Sequence, residues 1–303
     1  MRDLAIIGAG PAGMTAAVYA ARKKIDVVLT TKDIGGMAAW SSGIENYMGY
    51  NLISGPELMA KFEDQVAEFG IPIEYKQVDK ITKEDNFFNI HTIEGDALEA
   101  KSIIIATGRT PRRSGAPGER EFVGRGVSYC ATCDAPLFAN LDVAVIGGGN
   151  SALHAIEQLV KIANHAYAIS SAGWSGDPVL QERVLKATNL QVYKGYNLVA
   201  IEGHDFVEKI RIKSKKTEEE IELPVRGVFF EIGSEPTSMI VQGLVDVDDK
   251  QEIIVDCSNR TNVEGLFAAG DVTNAPQKQI IVAAGEGAKA ALSAYEYLVR
   301  LSD

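Results

Sequence analysis

Residues 128–134 read SYCATCD, and two small residues separate the cysteines Cys130 and Cys133. Three chemistries suit such a pair: a structural staple, half of a metal site, or a redox couple. The chain has 303 residues and three cysteines, too few for a disulfide framework. A metal site needs two further ligands. Neither Cys257 nor the histidines His91, His154, His165 and His204 supply a second C-x-x-C or an H-x-x-x-H. A C-x-x-C among βαβ units reads as redox-active, so the surrounding elements decide.

Two strand–glycine–helix units surround the pair. The first is LAIIGAGPAGMTAAVYAARKKIDVVLT, with a strand over Leu4–Ile7, a helix over Ala12–Lys23 and a strand over Val27–Leu29. Gly8, Gly10 and Gly13 form G-x-G-x-x-G. The first glycine permits the tight turn, the second lets backbone approach a pyrophosphate, and the third lets helix pack on strand. The acidic residue expected to end the second strand and bind a ribose is absent; Thr30 and Thr31 stand there. The second unit predicts a strand over Asp142–Ile146, a turn at Gly147-Gly148-Gly149, a helix over Ser151–Ala163 and a strand over Ala166–Ile169. Gly147, Gly149 and Ala152 fit G-x-G-x-x-A. The two turns are far enough apart in the chain to begin separate domains.

Between the units, GPELMAKFEDQVAEFG has the apolar spacing of an amphipathic helix, with Pro56 at its start and Gly70 at its end. Short alternating runs follow, as in a β-meander, and then RTPRRSGAPGE, a linker by composition. QIIVAAGEGAKAALSAYEYLVRL predicts a long final helix. Cys257 falls at the end of a strand pattern and reads as inert.

The net charge of −11 argues against sequence-blind nucleic-acid binding and against an acidic membrane surface. No apolar run reaches the ~18 residues of a membrane span, and no secretory leader opens the chain. A cytoplasmic location is the expectation.

Taken together, GAGPAG, ENYMG at 45–49, ATG at 106–108, CATCD at 130–134, GGGNSA at 147–152 and LFAAGDV at 266–272 resemble the low-molecular-weight thioredoxin reductases, a family of flavin disulfide reductases. The resemblance spans essentially the whole chain. It implies an α/β fold of two Rossmann-like, three-layer domains, the second inserted in the first. Residues 1–112 and 246–303 would form an FAD domain. Residues 113–245 would form an NAD(P)-binding-like domain carrying the C-x-x-C. The resemblance further implies FAD held by Gly8, Gly10, Pro11, Ala12, Gly13, Gly36, Met37, Asn46, Val78, Ala106, Thr107, Gly108, Gly270, Asp271, Lys278, Gln279 and Ile280. Met37 departs from a position where glutamine is frequent. The same resemblance makes Cys133 the sulfur beside the flavin, Cys130 the attacker of a partner disulfide, and Asp134 the acid at the pair. It implies thioredoxin as partner, hinged linkers and a homodimer.

The electron donor is the open point. NADPH-fed members end the inserted domain's second strand in a His-Arg-Arg-type run, whose guanidiniums bind the 2′-phosphate. Here the segment reads AYAISSAGWSGDP, and Arg183 is the nearest arginine. Ser170 also lacks the carboxylate that an NADH site wants. The chain therefore resembles the subclass without the NADPH signature, and reduced ferredoxin is the expected donor. Lys23, Lys24, Arg109, Arg112, Arg113, Arg120 and Arg125 are candidates for docking an acidic carrier. The alternatives are an NAD(P)H-dependent reductase, a flavin dithiol oxidase, and a non-catalytic redox-sensing flavoprotein.

Overall fold

The computed structural model describes residues 1–41 and 43–302. The first half of the chain runs β1 (Arg2–Ala9), α1 (Pro11–Arg22), β2 (Val27–Ile34), α2 (Gly55–Glu68), β3 (Ile73–Tyr75), β4 (Val78–Lys83), β5 (Phe88–Thr92), β6 (Ala97–Ile105) and β7 (Arg109–Pro111). Then come β8 (Val127–Ser128), α3 (Ala131–Asp134), β9 (Val143–Ile146), α4 (Asn150–Leu159), β10 (Ala166–Ser170), α5 (Pro178–Val184) and β11 (Leu190–Lys194). The chain closes with β12 (Tyr196–Gly203), β13 (Val207–Ser214), β14 (Glu220–Pro224), β15 (Gly227–Phe230), β16 (Ser234–Pro236), β17 (Leu266–Ala268) and α6 (Ile280–Ser302).

Two parallel sheets organise these elements. In the first, β3-β2-β1-β6 is extended by β17, which runs parallel to the end of β6. The start of β6 belongs instead to the antiparallel meander with β5 and β4. Successive side chains of β1 point to opposite faces. Leu4 and Ile6 therefore join Met14, Leu29 and Phe267 in one core, on the face packed by α1 and α6. Ala5 and Ile7 join Phe88, Ile90, Ile103 and Ile105 in the other. The inserted unit repeats the plan. Its parallel sheet is β11-β10-β9-β15-β8, with α4 on one face and the β12-β13-β14 sheet on the other. These are two three-layer Rossmann-like units.

The glycine turns follow from close packing. A Cβ on Gly13 would stand 1.8 Å from the Gly8 carbonyl oxygen, so only glycine lets α1 approach β1. At the second turn Gly147 has φ +151°, and a Cβ there would meet the Glu231 carbonyl at 2.3 Å.

The crossovers differ from the expectation in one respect. RTPRRSGAPGE opens as a strand: β7 pairs antiparallel with β16, so both connections between the units run side by side. Beyond β16 the chain is already back in the first unit. Ile240, Val241 and Val245, expected in the insertion, are buried with Val78 and Ile103. Arg109 of β7 pairs with Glu252, which is 7% exposed and also lies 3.3 Å from Lys278. Arg112 pairs with Glu235 of β16 (2.9 Å). These two arginines, candidates for docking an acidic carrier, are thus engaged at the crossover.

Removing one partner of a buried ion pair leaves an uncompensated charge. Glu252→Ala is expected to lower the unfolding free energy by about 3 kcal/mol, read as a lower denaturation midpoint in urea. A change within the scatter of surface substitutions would show that Arg109 and Lys278 are solvated without it.

Candidate active site

The C-x-x-C lies just after β8. Cys130 is extended (φ −144°) and precedes α3, and Cys130 and Cys133 are joined by a disulfide with Cα atoms 5.3 Å apart. Cys133 N–H donates to Cys130 Sγ (3.3 Å). Pro136 ends the helical turn by starting a 3-10 turn over Ala135–Phe138. Both cysteines are partly exposed.

Asp134 is buried directly behind the pair. Ser128 Oγ donates to its Oδ2 (2.6 Å) and accepts the N–H of Cys130 (3.1 Å). Ser41 Oγ, from the first unit, donates to its Oδ1 (2.8 Å). Burial pushes this carboxyl above the ordinary aspartate range, and the bonds from Ser128 and Ser41 pull it back. Around this bridge, Trp40 packs against Tyr129 with ring centroids 6.1 Å apart and planes tilted by 58°, and Arg113 lies 5.7 Å from the Trp40 ring. Tyr129 in turn donates to buried Glu119 (3.0 Å). Ser41–Asp134 and Trp40–Tyr129 thus bring the two units into contact beside the disulfide.

Several of the residues expected to hold a cofactor meet one another in the first unit. Gly8, Gly10, Pro11, Ala12 and Gly13 form the β1–α1 turn. Gly10 caps α1 without a side-chain partner, and open space surrounds it, as it does Gly36 and Gly108. Ala106 follows β6 and lies against Gly8, and Gly270 lies against Ala12. Thr107 Oγ1 donates to Thr237 O (2.7 Å), and Gly108 O accepts Thr237 N–H (3.0 Å). Met37 sits in the 3-10 turn Gly36–Trp40. Asn46 Nδ2 donates to Gln279 Oε1 (3.1 Å), which joins two distant expected contacts beside Ile280 at the start of α6. Val78 is the exception: its side chain is buried in the β-meander core, so only its backbone is free to meet a ligand. Burial raises the Asp271 carboxyl, while Lys278 and then Arg109 lower it.

The second glycine turn is complete in backbone. Gly149 caps α4 with open space around it. Ser170 is buried and donates to Ala172 O (2.6 Å), so it is not free to hold a ribose. One cation invisible in residues 168–176 reaches this place across the sheet. Lys194 pairs in register with Ser170, and its Nζ stands 4.6 Å from the Trp174 ring centroid.

The pyridine nucleotide-disulphide oxidoreductase family matches residues 2–287. The chain belongs to this family. Its fold is that of thioredoxin reductase from Streptococcus pyogenes MGAS5005, at TM-score 0.94 and 36% identity over 99% of both chains. The Lactococcus lactis thioredoxin reductase in its FR conformation matches at the same identity, over 99% of this chain and 100% of that one, with TM-score 0.68. Among curated proteins, a Bacillus subtilis (strain 168) NADH dehydrogenase is 39% identical over 299 residues. An alkyl hydroperoxide reductase component of Staphylococcus aureus (strain MSSA476) is 38% identical over 300 residues. Each match covers 98% of this chain but only 59% of the relative's length.

FAD is the cofactor of this oxidoreductase. The open space at Gly10, the start of α1 there and the Asn46–Gln279 contact fit a bound dinucleotide. Among the described residues no helix is long and apolar enough to cross a membrane.

Several site residues carried no signal in the sequence. Ser41 comes from a loop remote in the chain, and Lys194 from a neighbouring strand. Glu231 alone left a mark, a single carboxylate ending the apolar run GVFF. Cys257 lies in no strand of the structure and is exposed.

If Ser41 anchors Asp134, its loss raises that carboxyl further. In Ser41→Ala the acidic limb of the pH profile for disulfide reduction should move to higher pH, because a bond that lowers the Asp134 carboxyl is lost. An unmoved limb would mean that Ser41 does not touch Asp134 in the working enzyme.

Proposed function

We propose that the protein is an FAD-dependent disulfide reductase in which Cys130 and Cys133 carry electron pairs to a disulfide of a thioredoxin-like protein. The observation that carries this reading is the bonded pair itself, held with Asp134 between the two units by Ser128 and Ser41. Thioredoxin as partner is favoured by the likeness to thioredoxin reductases, and a thioredoxin-like domain of a peroxide-reducing system by the likeness to the alkyl hydroperoxide reductase component. Bound FAD supplies two-electron exchange between a donor and the sulfurs. Cys133 is the sulfur turned to the cofactor, and Cys130 attacks the partner through a mixed disulfide. Asp134 holds or releases the proton at the pair. A homodimer and a cytoplasmic location rest on the family resemblance.

The pair cannot face the cofactor and a protein at once. A turn of the inserted unit about β7 and β16 resolves this. Two thioredoxin reductases of equal identity, one aligning at 0.94 and the other at 0.68, support it. Rotating one unit against the other lowers a whole-chain score while leaving each unit intact.

For the donor, the relative called NADH dehydrogenase and the open space at Gly149, where α4 begins, favour a reduced nicotinamide nucleotide, with Lys194 and Trp174 near the turn. The inward-turned Ser170, and the absence of arginine between Ala168 and Gly176, favour the second reading, reduced ferredoxin.

Anaerobic stopped-flow mixing separates the two readings. Rapid, saturable flavin bleaching by micromolar NADH or NADPH supports the nucleotide. Bleaching by reduced ferredoxin alone supports the carrier. The sulfur roles are tested separately. Cys130→Ser should leave a Cys133 thiolate beside the flavin and show long-wavelength charge-transfer absorbance, and Cys133→Ser should not. Both variants should lose disulfide reduction, and the reverse spectra would exchange the two roles.

A further inference from the structure

Glu231 joins the two chemical features of the inserted unit. It follows β15, its N–H donates to Ile146 O (2.8 Å), and its carbonyl occupies the space beside Gly147. Its side chain reaches the C-x-x-C, where Oε1 accepts the N–H of Ala131 (3.3 Å). In that same turn the N–H of Cys133 is taken by Cys130 Sγ. The carboxylate thus meets the first N–H of the turn, while the Cys133 N–H lies between Cys130 Sγ (3.3 Å) and Cys130 O (3.2 Å). Because Ala131 is bonded directly to Cys130, covalent geometry keeps the carboxylate within about 8 Å of that sulfur.

We propose that Glu231 is a positioning residue for the proton of Cys130: its carboxylate sets the acidity of the attacking thiol. The inference rests on the disulfide-reductase reading. Two electrons and two protons entering the pair break its S–S bond and leave two thiols, and Cys130 is the one that must lose its proton to attack. Its sulfur then bonds to one sulfur of the partner disulfide, and the other partner sulfur leaves as a thiolate and takes a proton. Cys133, as thiolate, attacks Cys130, re-forms the S–S bond and expels the second partner sulfur, which takes the second proton. A negative carboxylate beside Cys130 opposes its thiolate, and a protonated one does not. An ionised Glu231 thus lowers the share of Cys130 present as thiolate and slows unwanted oxidation of the reduced pair.

The titration of Glu231 suits this role. Burial pushes its carboxyl up to about 7, against a small opposing effect from the Ala131 N–H. The ionisable groups of the facing turn are Cys130, Cys133 and Asp134, and Asp134 is occupied by Ser128 and Ser41. The Gly147–Gly149 turn has no ionisable side chain. Once the disulfide is reduced, the charge on Glu231 bears on the Cys130 thiolate across the Ala131 N–H.

Alkylation of Cys130 tests the proposal without donor or partner. It reports on Glu231 whether or not the disulfide-reductase reading holds, and that reading is judged by turnover. In the flavin-loaded protein carrying Cys133→Ser and Cys257→Ser, Cys130 is the only thiol, and its reaction with iodoacetamide is followed across pH. Adding Glu231→Gln keeps an oxygen for the Ala131 N–H but removes the charge. The Cys130 profile should then fall by about one unit, with alkylation near neutral pH up to about tenfold faster. Glu231→Ala should shift it in the same direction. A profile unmoved in both variants, or moved upward, overturns the proposal and leaves Glu231 a structural contact.

Discussion

The hydrogen bond from Ser41 to Asp134 crosses from one Rossmann-like unit to the other, directly behind the disulfide. It meets a constraint that governs the whole molecule. On the proposed function, one pair of sulfurs serves both a cofactor held by the first unit and a partner protein. A single polar bond suits this double demand. Its net contribution, about 1 kcal/mol for a neutral donor and up to about 3 kcal/mol to a charged acceptor, orients the pair and still permits release. Beside it Trp40 packs tilted against Tyr129, and Gly43 offers no side chain to interlock with Leu137. The crossover is built in the opposite way. There β7 pairs with β16, and Arg109, Glu252 and Lys278 form a buried charge cluster. On the proposed function, the crossover serves as the hinge and the Ser41–Asp134 bond as the latch.

The surroundings of the sulfurs extend the same logic. Asp134 and Glu231 place two carboxyls on the C-x-x-C turn, both raised by burial and neither paired with a cation. Charge on either opposes a second negative charge on the sulfurs, so the site favours protonated thiols until chemistry removes the proton. Asp134 is tied to the latch and Glu231 to the nucleotide-type turn. Each half of the electron path thus has a proton-bearing group of its own.

Much of the fold was legible because glycine is irreplaceable where helix and strand touch. Gly8 and Gly13, and Gly147 with Ala152, announce their turns through packing that any side chain would break. The alternation of Leu4 and Ile6 with Ala5 and Ile7 likewise foretells a sheet covered on both faces. The return to the first unit was misplaced, because the short turn carrying Ile240 and Val241 has too little periodicity to reveal its core. Local spacing revealed the cysteines and Asp134, whereas their partners come from distant segments: Ser41 lies 93 residues from Asp134, and Glu231 lies 100 from Ala131. Charge misled in two ways. Arg109 and Arg112 look like a surface patch in the sequence but are engaged by Glu252 and Glu235. The stretch around Ser170 looks uncharged until β11 brings Lys194 beside it.

The most direct test of this account is to lock the two units together. Gly43 and Leu137 meet across the latch, with a Cβ on Gly43 standing 3.0 Å from a Leu137 methyl. Gly43→Cys with Leu137→Cys, in a Cys257→Ser background, provides a crosslink closed by a short bifunctional thiol reagent. In the locked protein the Cys130–Cys133 pair should still exchange electrons with the flavin, while reduction of a thioredoxin-like partner should fall by at least tenfold and recover when the crosslink is cleaved. Undiminished partner reduction in the locked protein would contradict the account, because the pair would then serve both faces without moving.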